Sequence, residues 1–366
     1  MGIIFLPYGN KMKNPTDLNT ILCYFEVPQK IYASTPLTDG FINDTFLVLD
    51  EEEPLYILQR VNHEVFNDMH GLMGNIDKAL KHLDDPKYTK ITLIKTIQGG
   101  TFLEDENGYW RLMTYIDRSV AHNTTTNTNV AFEAGRIIGQ FHLLLKDCEI
   151  EDYVDTIPRF HDLDLRKSQF QMAQSTSDPK KKKTAKDAIN FADHVLETLS
   201  ELTKKVLPVR ICHNDTKLNN ILFSKKDDTA LCLIDLDTLM KGYFYYDFGD
   251  AVRTIANTAP EDEQDHVKIT FNKGLFEAFV DGLASVGPFL SKKEITTVHL
   301  GAIFMPFIHG LRALTDYLNG NIYYKVAYEN QNLDRCLSLF DFTRKTLNEL
   351  EYMQKITAER LKPSSR

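Results

Sequence analysis

Residues 211–253, ICHNDTKLNNILFSKKDDTALCLIDLDTLMKGYFYYDFGDAVR, constrain what this chain can fold into more than any other stretch. The stretch opens on a polar cluster of His213, Asn214, Asp215, Thr216, Lys217, Asn219 and Asn220. A second apolar run, over 231–234, leads into Asp235 and Asp237. Carboxylates and amides at that density make a poor core, because each buried polar group needs a partner. They make a good metal–phosphate site. Two short strands joined by a turn over 224–229 predict a hairpin that brings Asn220 and Asp235 together. One carboxylate and one amide oxygen suit Mg2+, which takes hard oxygen ligands and keeps waters and substrate phosphates in its shell. Asp215, one loop away, is placed to accept a hydrogen bond from an attacking hydroxyl, the arrangement of phosphoryl transfer.

A chain of 366 residues is too long for one small core, so two lobes are expected. The spacing of apolar residues predicts a helix from 14 to about 25, strands over 45–49 and 55–61, a helix over 64–83, and strands over 91–96 and 110–116. After 117 the pattern turns helical: 129–145, 163–205 with a lysine run at 180–183, then 265–285, 292–318 and 332–361. Residues 211–253 supply the β signal of this half. The expected architecture is α+β and two-lobed. A leader and helix occupy 1–30, a small β-rich nucleotide-binding lobe 31–116, and a larger, mostly helical lobe with the catalytic loop and acceptor-binding helices 117–366. Met12 offers a second initiator, which would leave residues 1–11 as a dispensable leader.

The net charge of −9 argues against nucleic acid as the main partner, since phosphate backbones need a basic surface. The five cysteines are dispersed, with no C-x-x-C pair, and read as reduced cytoplasmic thiols. The apolar run near the start is too short for a signal peptide, Leu6 breaks a myristoylation pattern, and no apolar run approaches the length of a membrane span. A cytoplasmic monomer or homodimer is expected.

The set His213, Asp215, Lys217 and Asn220 resembles the catalytic loop H-R-D-x-K-x-x-N of protein kinases. It also resembles the H-x-D-x-x-x-x-N of aminoglycoside phosphotransferases and choline kinases. The longer string HNDTKLNNIL…IDLDT-x-M-x-G…DFGD-x-x-R is similar to the N-acetylhexosamine 1-kinases of that superfamily. Gly40-x-Ile42-Asn43-x-Thr45 with Tyr56-Ile57-Leu58-Gln59 is similar to that family's first hairpin. Leu311-Arg312-x-Leu314-x-Asp316-Tyr317-Leu318-x-Gly320-x-Ile322-Tyr323 is similar to its sugar-side helix. Together these cover most of residues 30–335.

The resemblance implies a protein-kinase-like fold, ATP and Mg2+ as cofactors, and phosphorylation of a free N-acetylhexosamine at its anomeric hydroxyl. Asp215 would be the catalytic base, Lys217 would reach the transferred phosphate, and Asn220 and Asp235 would hold the metal. Gly40, Asn43 and Thr45 would approach the nucleotide, with adenine received at a hinge that includes Met113 and Tyr115. Phe41, Thr254, Arg312 and Tyr317 would lie toward the acceptor. The Asp247-Phe248-Gly249 triplet is a decoy, and Asp247 resembles the buried aspartate that braces the catalytic loop.

Two positions depart from the family. Phe41 stands where characterised relatives carry His, and Thr254 where they carry an aromatic, so the acceptor is less constrained than the reaction. No lysine stands on the second strand. Gln59 or Arg60 takes its place, and strand alternation lets one of them face the nucleotide, Gln59 being preferred because it shares a face with Ile57.

Blander readings stand beside these. His213 can be a structural hydrogen-bonder, Lys217 a surface lysine, and Asp237 a brace in place of a ligand. Arg312, in an apolar helical run, needs a partner, either the sugar or an internal carboxylate such as Asp316. Asp77 is the candidate for a helix carboxylate. Rival functions are a kinase of another hexose, an amino alcohol or an aminoglycoside, and a catalytically silent nucleotide-binding protein.

Overall fold

The computed structural model describes residues 17–37, 42–203 and 205–364. A short helix, α1 (Leu18–Leu22), is capped by Asp17 and leads to β1 (Ala33–Leu37), β2 (Asp44–Asp50) and β3 (Glu53–Val61). After α2 (Met69–His82) come β4 (Leu93–Ile94), β5 (Leu103–Asp105) and β6 (Gly108–Thr114). These strands form one antiparallel sheet in the order β1-β2-β3-β6-β4, with β5 also paired to β6. Strand alternation gives the sheet two different faces. On one, Val48, Leu58, Trp110 and Leu112 pack with Ile21, Leu22 and Phe25 from the N-terminal segment. On the other, the register sets Thr45 beside Gln59 and Gln59 beside Arg111.

The sequence pattern did not foresee β1. Its five residues, Ala-Ser-Thr-Pro-Leu, are all exposed, so no apolar alternation marks it, and Pro36 is tolerated because the strand lies at the sheet edge. The helix expected over 64–83 begins later, where Asp68 caps it by accepting from the Gly71 N–H at 2.8 Å.

The C-terminal part is mostly helical. It runs through β7 (Ser119–Val120), α3 (Thr128–Leu144), α4 (Leu163–Thr176), α5 (Pro179–Thr184) and α6 (Lys186–Thr203). The lysine run is helical, started by the Asp178 cap and Pro179 in the first turn. Four short strands follow: β8 (Arg210–Cys212), β9 (Ile221–Ser224), β10 (Ala230–Leu233) and β11 (Met240–Gly242). β9 and β10 form the expected hairpin, extended by β7, and β11 pairs with β8. The remaining helices are α7 (Phe244–Ile255), α8 (Lys273–Ser285), α9 (Lys292–Ile295), α10 (Gly301–Leu318), α11 (Gln331–Asn348) and α12 (Leu350–Arg360).

Two expectations fail here. Residues 265–272 are not helical, and α7 was not anticipated. The Asp-Phe-Gly triplet lies inside α7, and its glycine has a packing reason. A Cβ on Gly249 would fall 2.0 Å from the Gly301 carbonyl oxygen, so only glycine lets α7 and α10 approach this closely.

The stretch Val298–Leu318 is long and apolar enough to cross a membrane by composition, contrary to the sequence reading. In the structure 78% of that window is buried inside the molecule, which makes α10 a core helix. All five cysteines are free.

Candidate active site

The loop after β8 is held by Asp247 of α7. One Asp247 oxygen accepts from the Asn214 N–H at 2.7 Å; the other accepts from the His213 N–H at 2.9 Å and contacts His142 Nε2 at 2.9 Å. Thr216 Oγ1 donates to the Asp247 main-chain oxygen at 2.6 Å. The carboxylate is fully buried, yet both its oxygens are satisfied, so the cluster of His142, Cys212 and Asp247 needs no metal to explain it.

His213 is also fully buried. Its Nε2 lies 2.8 Å from the Ile234 oxygen, and its Nδ1 accepts from the Asp215 N–H at 3.3 Å. Both ring nitrogens are therefore engaged in holding the loop. Asn214 adopts φ 62°, a left-handed conformation that its Nδ2 stabilises by donating to the Thr238 oxygen at 3.0 Å.

This bracing presents Asp215, Lys217, Asn220 and Asp235 at one place. Asp215 Oδ2 accepts from Asn220 Nδ2 at 2.9 Å and pairs with Lys217 Nζ at 3.0 Å. The Ile234 N–H donates to the Asn220 main-chain oxygen at 2.9 Å, which ties the base of the hairpin together beside Asp235. Asp235 does not sit on the strand, as expected, but just past it at φ 62°, opening a single 3-10 turn, Leu236–Thr238. Asp235 is exposed as a residue, and its carboxylate has no hydrogen-bond or ion-pair partner among the described residues.

Surrounding protein, and then the neighbouring Asp237 charge, push the Asp235 carboxyl up to about 6, against the pull of Lys217. Burial draws the Lys217 ammonium down, but the charges of Asp215 and Asp235 outweigh it and leave it raised. The Asn220 amide nitrogen is taken up by Asp215, both at its Oδ2 and, at 2.8 Å, at its main-chain oxygen. That leaves the Asn220 carbonyl oxygen for a ligand. An unpartnered carboxylate beside a spare amide oxygen fits a hard divalent cation.

The sheet side corrects several expectations. Gly40 and Phe41 lie outside the described residues. Gln59 and Arg60 diverge as strand alternation requires. Gln59 Oε1 accepts from Arg111 Nε and Nη2 at 3.0 and 2.7 Å, and its Nε2 donates to Thr45 Oγ1 at 3.0 Å. Arg60 turns to the opposite face, pairs with Asp44 and covers the Trp110 ring, so it does not replace the strand lysine. Asn43 Nδ2 donates to Asp237 Oδ2 at 2.6 Å, and Asp237 Oδ1 pairs with Arg111; Asp237 is thus a brace.

The hinge expectation also changes. The Tyr115 N–H donates to the Leu55 oxygen at 2.9 Å and is not free for an adenine, while Met113 packs partly buried in β6 opposite Ile57. Asp77 pairs with Lys81 on the solvent side of α2, one turn on, and is no interior helix carboxylate. The inward polar residue of that helix is Asn75, whose Nδ2 donates to the Leu239 oxygen at 2.9 Å.

A chain of charges runs through α7. Arg253 pairs with Asp250 at 2.6 Å and with Glu261, and Glu261 pairs with Arg335 at 2.8 Å. Burial alone would raise the two carboxyls, but the guanidiniums, Arg253 first, hold both below the ordinary range. Thr254 is engaged elsewhere: its Oγ1 accepts from the Leu218 N–H at 2.9 Å, so it props the catalytic loop.

Arg312 lies over the Phe160 ring, 5.2 Å from its centroid, and 6.0 Å from that of Tyr323. Asp316 is not its partner, because the Asp316 oxygens accept from the Tyr323 N–H (2.8 Å), the Tyr324 N–H and Asn332 Nδ2 (both 2.9 Å). Tyr317 is buried under Lys181 instead of standing beside Arg312. Five residues along a helix turn the side chain by about 140°, and Tyr323 in the following loop is the aromatic that meets the arginine.

Two important arginines escaped the sequence reading. Arg111 is 2% exposed and Arg166 8%. The signal for Arg111 was a charge within an apolar strand, Tyr-Trp-Arg-Leu-Met, which cannot be buried without a partner. Arg166 donates to the Phe160 oxygen at 2.8 Å and to Gln169 Oε1 at 2.9 Å. Burial, and then the nearby Arg312 charge, pull its guanidinium down to about 10. Among the described residues neither Arg166 nor Arg312 has a carboxylate partner.

A model of the phosphotransferase enzyme family matches residues 34–289. Among solved structures, the chain is similar to a microcompartment-associated aminopropanol kinase, with TM-score 0.61 and 16% identity over 93% of this chain and 99% of that one. It is also similar to a spectinomycin phosphotransferase solved with ADP and spectinomycin (TM-score 0.56, 14% identity, 94% and 100% covered). A choline kinase from Cryptosporidium parvum Iowa II gives TM-score 0.54 at 14% identity, with 93% and 95% covered. At these identities the likeness is one of fold, a protein-kinase-like arrangement of a β-sheet N-terminal region and a helical C-terminal region.

Proposed function

The chain belongs to the phosphotransferase enzyme family, and from that premise we propose that it phosphorylates the anomeric hydroxyl of a free N-acetylhexosamine, with ATP as donor and Mg2+ as cofactor. Small-molecule phosphotransfer is common to the family and its structural neighbours; the sugar is the finer reading.

In this reading Asp215 accepts the hydrogen bond of the acceptor hydroxyl and takes its proton as the bond to the γ-phosphorus forms and the bond from that phosphorus to the departing ADP breaks. Lys217, held 3.0 Å from Asp215, reaches the transferred phosphoryl group. Asn220 and Asp235 would hold the metal, which when bound neutralises charge on the β- and γ-phosphates. An anomeric hydroxyl is more acidic than an ordinary sugar hydroxyl, so a carboxylate is an adequate base.

The observation that carries the choice of acceptor is the sign of charge on the acceptor side. Asp250, through its Oδ1, and Glu261 pair with Arg253 and Arg335, Asp250 Oδ2 being left without a hydrogen-bond partner, while among the described residues Arg166 and Arg312 have no carboxylate partner. An ammonium held about 6 Å from one such guanidinium would cost roughly 3 kcal/mol at an effective dielectric near 20, or about two orders of magnitude in affinity. Choline, ethanolamine and aminoglycosides are disfavoured on that ground. The acetamido carbonyl and hydroxyls of a sugar are acceptors that a guanidinium can serve.

The test is a panel of N-acetylglucosamine, N-acetylgalactosamine, glucose, galactose, choline, ethanolamine and an aminoglycoside. Each is scored for ADP release with MgATP, and the product's phosphate position is read by phosphorus NMR. A sugar 1-phosphate from the N-acetylhexosamines is expected; turnover confined to the amines would overturn the assignment.

A further inference from the structure

Five side chains close a ring across the cleft. Thr45 Oγ1 accepts from Gln59 Nε2, and Gln59 Oε1 accepts twice from Arg111. Arg111 Nη1 pairs with Asp237 Oδ1, and Asp237 Oδ2 accepts from Asn43 Nδ2. Asn43 Oδ1 in turn accepts from the Asn62 N–H at 3.0 Å, and Asn43 lies two residues before Thr45, so the circuit returns to its start. The Arg111 and Asp237 side chains are 2% and 3% exposed and stand 126 residues apart in the chain.

The sheet does not need this ring in order to form. Thr45, Gln59 and Arg111 are already aligned by backbone pairing, and Arg111 projects into a region lined by Met73. A buried ion pair is in general a weak stabiliser, often matched or bettered by apolar residues of similar volume. What the pair does achieve is to fix the turn Leu236–Thr238 against the sheet. That turn begins at Asp235, whose left-handed backbone leaves its carboxylate in the cleft.

We propose that Arg111 is a positioning residue for phosphoryl transfer, doing at one remove what a strand lysine does directly. Through Asp237 it locks the turn that presents Asp235, and through Gln59 and Thr45 it locks the same turn to the strand that begins at Asp44. A charge on β6 thereby makes up for the missing charge on β3. The inference rests on ATP- and metal-dependent transfer but not on which acceptor is used.

The experiment measures ATP affinity of the full-length chain by calorimetry, with Mg2+ and with EDTA, alongside thermal melting. Arg111→Met should lose roughly tenfold to hundredfold of the Mg2+-dependent gain in ATP affinity, the loss typical of removing an outer support of a metal ligand. Its affinity in EDTA should stay within about twofold, because adenine and ribose contacts are untouched. Arg111→Lys, which can still pair with Asp237, should recover most of the gain.

The double variant Arg111→Met/Asp237→Leu removes both charges, so it should melt close to the wild type yet remain without the gain. Should the single variant fail to fold, this double variant and Gln59→Leu, which opens the ring without stranding a charge, carry the test. Full Mg2+-dependent affinity in Arg111→Met, or its restoration together with stability in the double variant, would show a merely structural pair and overturn the proposal.

Discussion

The two sides of the cleft hold opposite surpluses of charge. On the proposed metal side the cations are engaged, Arg111 with Asp237 and Lys217 with Asp215, while Asp235 has no partner among the described residues. On the proposed acceptor side Asp250 Oδ1 and Glu261 pair with Arg253 and Arg335, while Arg166 and Arg312 rest on ring faces, a side-chain amide and a main-chain oxygen. Burying unmatched charge is costly, so the buried Arg166 beside Arg312 supports the proposed neutral or anionic acceptor. The unpartnered Asp235 carboxylate supports the proposed divalent cation with its phosphates.

Substitutions on the two sides should separate cleanly. The largest effect is expected from Asp215→Asn, which keeps the shape of the loop but removes the proposed base. Turnover should fall by roughly 10² to 10⁴ with MgATP binding retained, measured by steady-state kinetics beside calorimetry. Full turnover in that variant would break the reading of the metal side.

Arg312→Met should act on the other side only. The KM for the proposed sugar acceptor should rise roughly tenfold to hundredfold, the worth of a charge-assisted hydrogen bond, while the KM for MgATP stays within about twofold. A larger change in the nucleotide KM than in the sugar KM would dissolve the distinction between the sides.

The smallest effect is on stability in acid. Asp250 and Glu261 are held below their unfolded values, so their contribution is present above about pH 4 and is lost as pH falls below it, when the unfolded chain takes up protons first. Acid-melting curves of Asp250→Asn should therefore be flatter between about pH 4 and pH 2 than those of the wild type. An unchanged slope would mean that the charge chain is not held as drawn.

The clustering of the candidate metal-side residues was legible in the sequence, because they are local. Asp215, Lys217, Asn220 and Asp235 fall within one short stretch, and the hairpin that joins them announces itself by two apolar runs and a polar turn. The parts that were not legible depend on distance or on backbone. Arg111 finds its partner 126 residues away, and nothing in its own neighbourhood names Asp237. The Tyr115 donor is lost to a main-chain bond with Leu55, which no side chain records. Helix α7 went unassigned because Gly249, in its middle, is a poor helix former, and only the close approach to Gly301 gives that glycine a helical reason. Tyr317 shared its helix with Arg312, and there sequence proximity misled, since the helix turns it into the core.

Glucosamine and N-acetylglucosamine share a ring and an anomeric hydroxyl and differ at one nitrogen, charged in the first and neutral in the second. Their kcat/KM values, measured with MgATP at a pH where the free amine is protonated, read the sign of the acceptor side directly. A preference of roughly 10²-fold for the acetylated sugar is predicted, the size of the guanidinium repulsion estimated above. Equal turnover of the two, or a preference for glucosamine, would contradict a cationic acceptor side.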